Sequence, residues 1–365
     1  MVAIPDSAVE ITADWLRASV RPEDAAAFAN LTSVRAERLG EGVGTSTEIH
    51  RLQLGYAPGA APGPATLIAK LHSPIPEVRA VARGWGTYQR EAQFYRDIAA
   101  TLAMRIPKAY VAGCDPRTYD FVLVMEDLAP AVSGDQVAGL TLDQARMALE
   151  EIAALHAGWW NRPELADLGG AIQPFGEGLW VGTGARHAAA WPAFEPFVAE
   201  RASPELVRIG ERMADAIEPM MVDMARGARS LCHGDFRADN LMFAPGGGGG
   251  AALITIDWQA PLQARGAFDV GTLMSMSVTT ALRRAHETEL LHRYHETLLA
   301  AGVADYPYDA FFHDYRRGLL IGFTIPVQAG PAADLTHPRT LALFDSAVRR
   351  VDAAVQDHGL GEFVA

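Results

Sequence analysis

Cysteine is nearly absent. Only Cys114 and Cys232 occur in 365 residues, which excludes a disulfide framework and a cysteine-rich metal site. A reducing, cytoplasmic setting is the simplest expectation. Cys232 adjoins His233, which suggests a thiol nucleophile, but its apolar flanks point to a buried structural cysteine. An excess of positive charge is also missing. Lys plus Arg number 31 against 44 Asp plus Glu, a formal net charge of −13. No basic stripe is therefore expected to neutralise nucleic-acid phosphates. No apolar run reaches the roughly 20 residues needed to span a bilayer. The best candidate, Gly318 to Val327, is short, carries Pro326 and reads as a buried helix. The opening MVAIPDSAVE lacks a basic start followed by an apolar block, so no secretory signal is expected. There is no internal repeat and no H-E-x-x-H zinc pattern. What is left is an ordinary globular composition, 49% hydrophobic and 21% charged, long enough for two domains.

The first third of the chain reads as β-rich. ITADWLRASV has amphipathic helical spacing, with Ile11, Trp15, Leu16 and Val20 available for one face. Two extended stretches then flank the glycine turn GEGVGTST (Gly40 to Thr47). After a Pro/Gly loop comes ATLIAKLH, an apolar strand containing Lys70. TYQREAQFYRDIAATLA has helical spacing, with Phe94, Ile98 and Leu102 at four-residue steps. RTYDFVLVMEDLAP reads as a hairpin strand ending near Glu126. Beyond Pro130 the character turns helical. Thr141 and Gln144 form a capping-box pattern ahead of Ala145, Ala148, Ile152 and Leu155. Further helices are expected over about 204–227, 280–301, 307–325 and 338–357. Among them lie two short strands, NLMF and ALITID, joined by APGGGGG. No helix follows these five glycines, so they suit a hairpin tip better than a phosphate cradle.

The chemistry is concentrated in LCHGDFRADNLMF, Leu231 to Phe243, and in ITIDWQ, which contains Asp257. Asp235, Asn240 and Asp257 are hard oxygen donors set among apolar residues, a set suited to Mg²⁺. The five-residue step from Asp235 to Asn240 matches the catalytic-loop pattern of kinases. In that scheme Asp235 accepts the acceptor hydroxyl's proton, and Asn240 and Asp257 hold the ion that neutralises ATP phosphates. Upstream, Lys70 needs a counter-charge inside its apolar strand. Glu91, 21 residues later on the expected helix, can supply it. Gly42 and Gly44, with Gly40, allow close backbone approach to phosphates, although a plain hairpin turn would use the same residues.

HGDFRADN with IDWQ resembles the signature of the aminoglycoside phosphotransferase and choline kinase superfamily. More narrowly, REAQFY, FVLVMEDLAP, GDQVAGLT and LHAGWW make the chain similar to a bacterial branch related to ecdysteroid kinase-like proteins. The resemblance runs over roughly residues 10 to 330. It implies an α+β, two-lobed protein-kinase-like fold, with a small β-rich ATP-binding lobe (1–127) and a larger helical catalytic lobe (128–365). It also implies that the carbonyl of Glu126 and the amide of Leu128 meet adenine. Asp269 matches an aspartate that supports the catalytic loop. Gly234 stands where protein kinases carry arginine, so no phosphorylation-controlled loop is expected. His233 reads as structural support. Arg237 is expected at phosphate or substrate, or paired with Asp239, and Trp258 at the acceptor or in packing.

Two competing classes share parts of this pattern. A metal hydrolase would use the same carboxylates but would recruit more histidines. A non-catalytic ATP-binding module is expected when the base or a metal ligand is lost, and here Lys70, Asp235, Asn240 and Asp257 are all present. The acceptor is a small hydroxylated molecule, with neither nucleic acid nor a membrane span involved. Its pocket is expected from residues 177–197 and 313–323, which mix aromatic and apolar residues with few acids. That composition favours a lipophilic alcohol over a polycationic aminoglycoside. A choline-type acceptor is the alternative, since a tryptophan cage binds quaternary ammonium.

Overall fold

The computed structural model describes residues 3–39, 46–59, 63–170, 172–245 and 251–365. It divides into two compact units. One comprises Met1–Ala131 with Ile256–Ala260, the other Val132–Thr255 with Pro261–Ala365.

The first unit begins with two short helices, α1 (Ala13–Ser19) and α2 (Ala25–Phe28). The Thr12 hydroxyl caps α1 by accepting from the Trp15 amide. The strands are β1 (Leu31–Leu39), β2 (Thr47–Tyr56) and β3 (Thr66–His72), then β4 (Ala109–Cys114) and β5 (Phe121–Glu126). Between β3 and β4 come α3 (Pro76–Trp85) and α4 (Thr87–Gln93). The sheet is antiparallel, in the order β1-β2-β3-β5-β4. Strand periodicity of two decides which face each side chain takes. Leu67, Ala69 and Leu71 of β3 join Val122 and Val124 of β5 in one core with Leu16 and Phe28. Lys70 alternates with them and so belongs to the other face.

The single helix expected over 87–103 is three consecutive pieces. α4 runs into a π-helical turn at Phe94–Ile98 and a 3-10 turn at Ala99–Thr101. Phe94 and Tyr95, at the start of the π-helical turn, are both buried.

The second unit contains, in chain order, β6 (Val132–Ser133), α5 (Leu142–Trp159), α6 (Thr183–Ala199), α7 (Pro204–Ala225) and β7 (Ser230–Cys232). Then come β8 (Leu241–Pro245), β9 (Ala251–Thr255), β10 (Leu262–Ala264), α8 (Ala267–Met276) and α9 (Thr280–Ala300). The chain ends in α10 (Tyr308–Gly322), α11 (Thr324–Ala329) and α12 (Pro338–His358). Both halves of the Thr141/Gln144 capping box are formed at the start of α5. β8 pairs antiparallel with β9, and β7 with β10. The glycines Gly246 to Gly250 fall outside the described residues. α8 is buried along its whole length. Gly271 lets it lie against α10, since a Cβ there would sit 2.4 Å from the Gly318 carbonyl carbon. Among the described residues, no helix is long and apolar enough to cross a membrane.

Candidate active site

Three of the expected residues meet in the first unit. The Lys70 ammonium donates to Glu91 Oε1 at 2.6 Å and to Asp257 Oδ1 at 2.7 Å. Glu91 comes from α4. Asp257 comes from the short segment that returns to this unit after β9. Lys70 and Glu91 are buried, and the Asp257 side chain is 24% exposed. Burial alone favours a neutral amine, but the Asp257 and Glu91 carboxylates outweigh it and hold Lys70 above the ordinary lysine range. Burial pushes Glu91 up to about 7, opposed by Lys70 and reinforced by Asp257. Asp257 has φ 65°, a left-handed conformation uncommon outside glycine but more accessible to Asp and Asn. Its second oxygen accepts from Gln259 Nε2 at 3.1 Å, and the Gln259 carbonyl accepts from the buried Arg90 at 2.9 Å.

A buried pair of this kind should couple measurably. Lys70→Ala and Glu91→Ala are expected to show an interaction free energy above the roughly 0–1 kcal/mol of an exposed pair. A double-mutant cycle on urea unfolding checks this; additive losses would mean that the contact carries no energy.

Trp258 is fully buried, with its ring stacked on Phe94 at 4.0 Å and 5° between planes. It is a packing residue that anchors the Asp257 segment, and the acceptor role considered for it is corrected accordingly. Gly42 and Gly44 lie outside the described residues. Glu126 ends β5. Its side chain turns to Arg105 and the Lys108 amide, at 2.5 and 3.2 Å. Asp127 then fixes the chain before Leu128, pairing with Arg51 at 2.7 Å and accepting from the Ala129 amide at 3.1 Å.

The second unit gathers the remaining residues on the loop after β7. The Asp235 carboxylate is held from two sides. Arg237 Nε donates to its oxygens at 3.0 and 3.1 Å, and Asn240 Nδ2 donates to Oδ2 at 2.9 Å. Asn240 Nδ2 also donates to the Asp235 backbone carbonyl at 2.8 Å. With both amide hydrogens so directed, the remaining ligand atom of Asn240 is its oxygen. Arg237 pairs with Asp239 as well, at 3.3 Å. Both readings of this arginine are thus narrowed: it holds Asp235 and Asp239 together in this arrangement.

Behind the loop, Asp269 of α8 accepts from the His233 amide at 2.7 Å and the Gly234 amide at 2.9 Å. Gly234 has φ 84°, a conformation that costs glycine little. His233 is buried, and its Nδ1 accepts from the Asp235 amide at 3.2 Å. The ring of His156 on α5 bridges Asp269 at 3.1 Å and the Tyr294 hydroxyl at 2.8 Å, all fully buried. A histidine on the apolar face of α5 was the available signal, because a buried ring nitrogen needs a partner. Cys232 completes this layer. Burial pushes its thiol far above the ordinary range, so it is no nucleophile.

Each unit, taken by itself, offers a hard oxygen donor suited to a divalent cation. Asp257 offers a partly exposed carboxylate, and Asn240 an amide oxygen whose orientation its own hydrogen bonds decide. Several residues of the segments expected to line the acceptor pocket are engaged in packing or ion pairs. Trp191 is buried, its ring filling the space beside Gly210. On α10, Asp314 binds Arg265 at 2.5 Å, Arg317 pairs with Asp223 at 2.5 Å, and Arg316 pairs with Glu362 at 2.6 Å.

Comparison with known proteins places this geometry in context. The model of the ecdysteroid kinase-like family matches residues 42–159 and 183–302. Comparison with curated protein sequences finds no match. Among solved structures, the chain is similar to a Ralstonia eutropha JMP134 protein provisionally named an aminoglycoside phosphotransferase. That match has 17% identity and a TM-score of 0.54, covering 96% of each chain. It is also similar to an ethanolamine kinase of Plasmodium vivax, with 10% identity and a TM-score of 0.52, covering 91% of this chain and 83% of that one. A third is the GDP complex of aminoglycoside 2'-phosphotransferase-IIIa, with 14% identity and a TM-score of 0.50, covering 90% and 93%. At these identities the likeness establishes the fold class, protein-kinase-like α+β.

Proposed function

The chain belongs to the ecdysteroid kinase-like family, a family of phosphotransferases acting on alcohol groups, and from that premise we propose the following reaction. The γ-phosphate of ATP is transferred, with Mg²⁺, to a hydroxyl of a small and mainly apolar acceptor. Asp235 accepts the hydroxyl proton as the new O–P bond forms and the bond to ADP breaks. Lys70, kept charged and oriented by Glu91, meets the nucleotide phosphates. Asn240 and Asp257 would hold Mg²⁺, which neutralises phosphate charge when bound. Glu126 and Leu128 supply the backbone contacts to adenine.

The observation that carries this reading is the Lys70 ammonium between Glu91 and Asp257. A buried cation shared by two carboxylates, one of them partly exposed, suits a site where an incoming phosphate and metal redistribute the charge. An inert nucleotide-binding module gives no role to Asp235, held by Arg237 and Asn240, and a metal hydrolase would recruit more histidines.

Two observations support an apolar acceptor. A polycationic aminoglycoside calls for a dense set of unspent carboxylates, whereas the two expected segments carry only Glu177, Glu195 and Asp314, the last already bound to Arg265. A quaternary ammonium calls for an open aromatic cage, yet of the two tryptophans in the expected segments Trp191 is buried in packing and Trp180 is half-buried against Phe175. An apolar alcohol asks for neither. The test is ATP consumption with a hydroxylated sterol, a macrolide, kanamycin and ethanolamine. Turnover is expected with a lipophilic alcohol. Turnover with kanamycin or ethanolamine alone would overturn the acceptor class and leave the kinase reading in place; ATP binding without turnover of any acceptor would favour the inert module.

A further inference from the structure

Arg350 of α12 is buried, and its guanidinium is bound by backbone carbonyls rather than by a carboxylate in contact. It donates to Gln136 O at 2.6 Å, Met276 O at 2.5 Å and Val137 O at 2.9 Å. Burying a cation this way is costly, so the segment it grips must be worth fixing. That segment abuts the catalytic loop. The Gln136 amide donates to Asp239 Oδ1 at 2.8 Å, and its side-chain oxygen accepts from Arg237 Nη1, also at 2.8 Å. Met276 ends α8, and the next residue, Ser277, accepts from the Ala238 amide at 2.7 Å and from the Leu140 amide at 2.8 Å. Gln136 is itself buried.

We propose that Gln136 is a positioning residue for phosphoryl transfer, holding Arg237 against Asp235, with Arg350 of the C-terminal helix fixing Gln136 in place. The proposal rests on the reading of Asp235 as the base. Its physical content is the path of bonds. Arg237 meets Asp235 through Nε and reaches Gln136 through Nη1, so one planar guanidinium transmits the position of one to the other. Gln136 needs no contact with substrate to act.

Two substitutions separate this role from general stability. Gln136→Ala removes the side-chain bond to Arg237 and leaves both backbone bonds of residue 136. The unfolding midpoint should stay close to the parent's. Turnover of Mg-ATP with water as acceptor should fall about 10-fold or more, because misplacement near 1 Å can cost about 100-fold, while KM for Mg-ATP stays within about twofold, as expected when an interaction specific to the transition state is lost. In an Arg237→Ala background the same change should have no further effect, since Gln136 acts through Arg237. Exchange of the Arg237 Nε–H with solvent, followed by NMR, should accelerate in Gln136→Ala and in Arg350→Met. Unchanged exchange in Gln136→Ala, or additive losses with Arg237→Ala, would overturn the proposal. Asp235→Asn in parallel keeps the two ideas apart. Full turnover there removes the base reading, and the exchange measurement still decides whether Gln136 holds Arg237.

Discussion

Asp235→Asn should bind Mg-ATP like the parent and turn over about 10²- to 10⁴-fold more slowly, the range by which a positioned general base contributes. Asparagine has nearly the same shape and, with its oxygen in the place of Oδ2, leaves one acceptor for Arg237 and Asn240 to share, and the loop stays braced from behind by Asp269. What is lost is a group that can take a proton. Arg237 gives the prediction its edge. A carboxylate already held by a guanidinium is positioned well, so the substitution removes proton acceptance while most of the scaffold remains. Calorimetric titration with Mg-ATP and a steady-state assay check the two halves separately. Parent-like turnover of an acceptor would remove Asp235 from the chemistry. Loss of Mg-ATP binding would instead make it a nucleotide-site residue.

The elements that bring Lys70 and Glu91 together could be read from the chain because each follows a simple period. β3 alternates, so a lone lysine among apolar residues was assigned to a strand, and the next helical pattern offered the glutamate. A stronger signal went unused: lysine occurs only at positions 70 and 108 among 31 basic residues. In a chain that otherwise uses arginine, a lysine in an apolar strand stands out as a point charge rather than a fork.

Other features left no periodic trace. α8 is buried on every side, so it has no polar face and no 3.6-residue alternation to read. α6 carries Pro192 and Pro196 inside the helix, which disguised it as an irregular pocket-lining segment. The role of Asp269 was inferred from resemblance, but the His156–Tyr294 bridge behind it depends on side chains 113 and 138 residues from His156. No local pattern encodes such a contact. The same is true of Arg350, whose carbonyl partners lie up to 214 residues away. Its helix was legible, and its purpose was not.

Asp257→Asn should abolish most of the gain in ATP affinity that Mg²⁺ provides, while ATP alone binds as well as before or better. Outer-shell partners of a metal typically cost about 10- to 100-fold when removed, so a direct ligand should cost more than about 100-fold in the Mg²⁺-dependent increment. Asparagine is the informative choice because residue 257 sits at φ 65°. Alanine there would add backbone strain of about 1–3 kcal/mol, whereas asparagine tolerates the left-handed region and keeps an oxygen for Gln259. The substitution therefore removes charge with little change of shape. Lys70 loses one of its two carboxylate partners and stays paired with Glu91, so it meets phosphate with less competition. Metal-free ATP, which is repelled by the Asp257 carboxylate in the parent, should gain from its removal. Titration of ATP with and without Mg²⁺ reads both signs in one experiment. Equal losses in the two conditions would assign Asp257 to positioning Lys70, and an undiminished Mg²⁺ increment would place the metal on other residues.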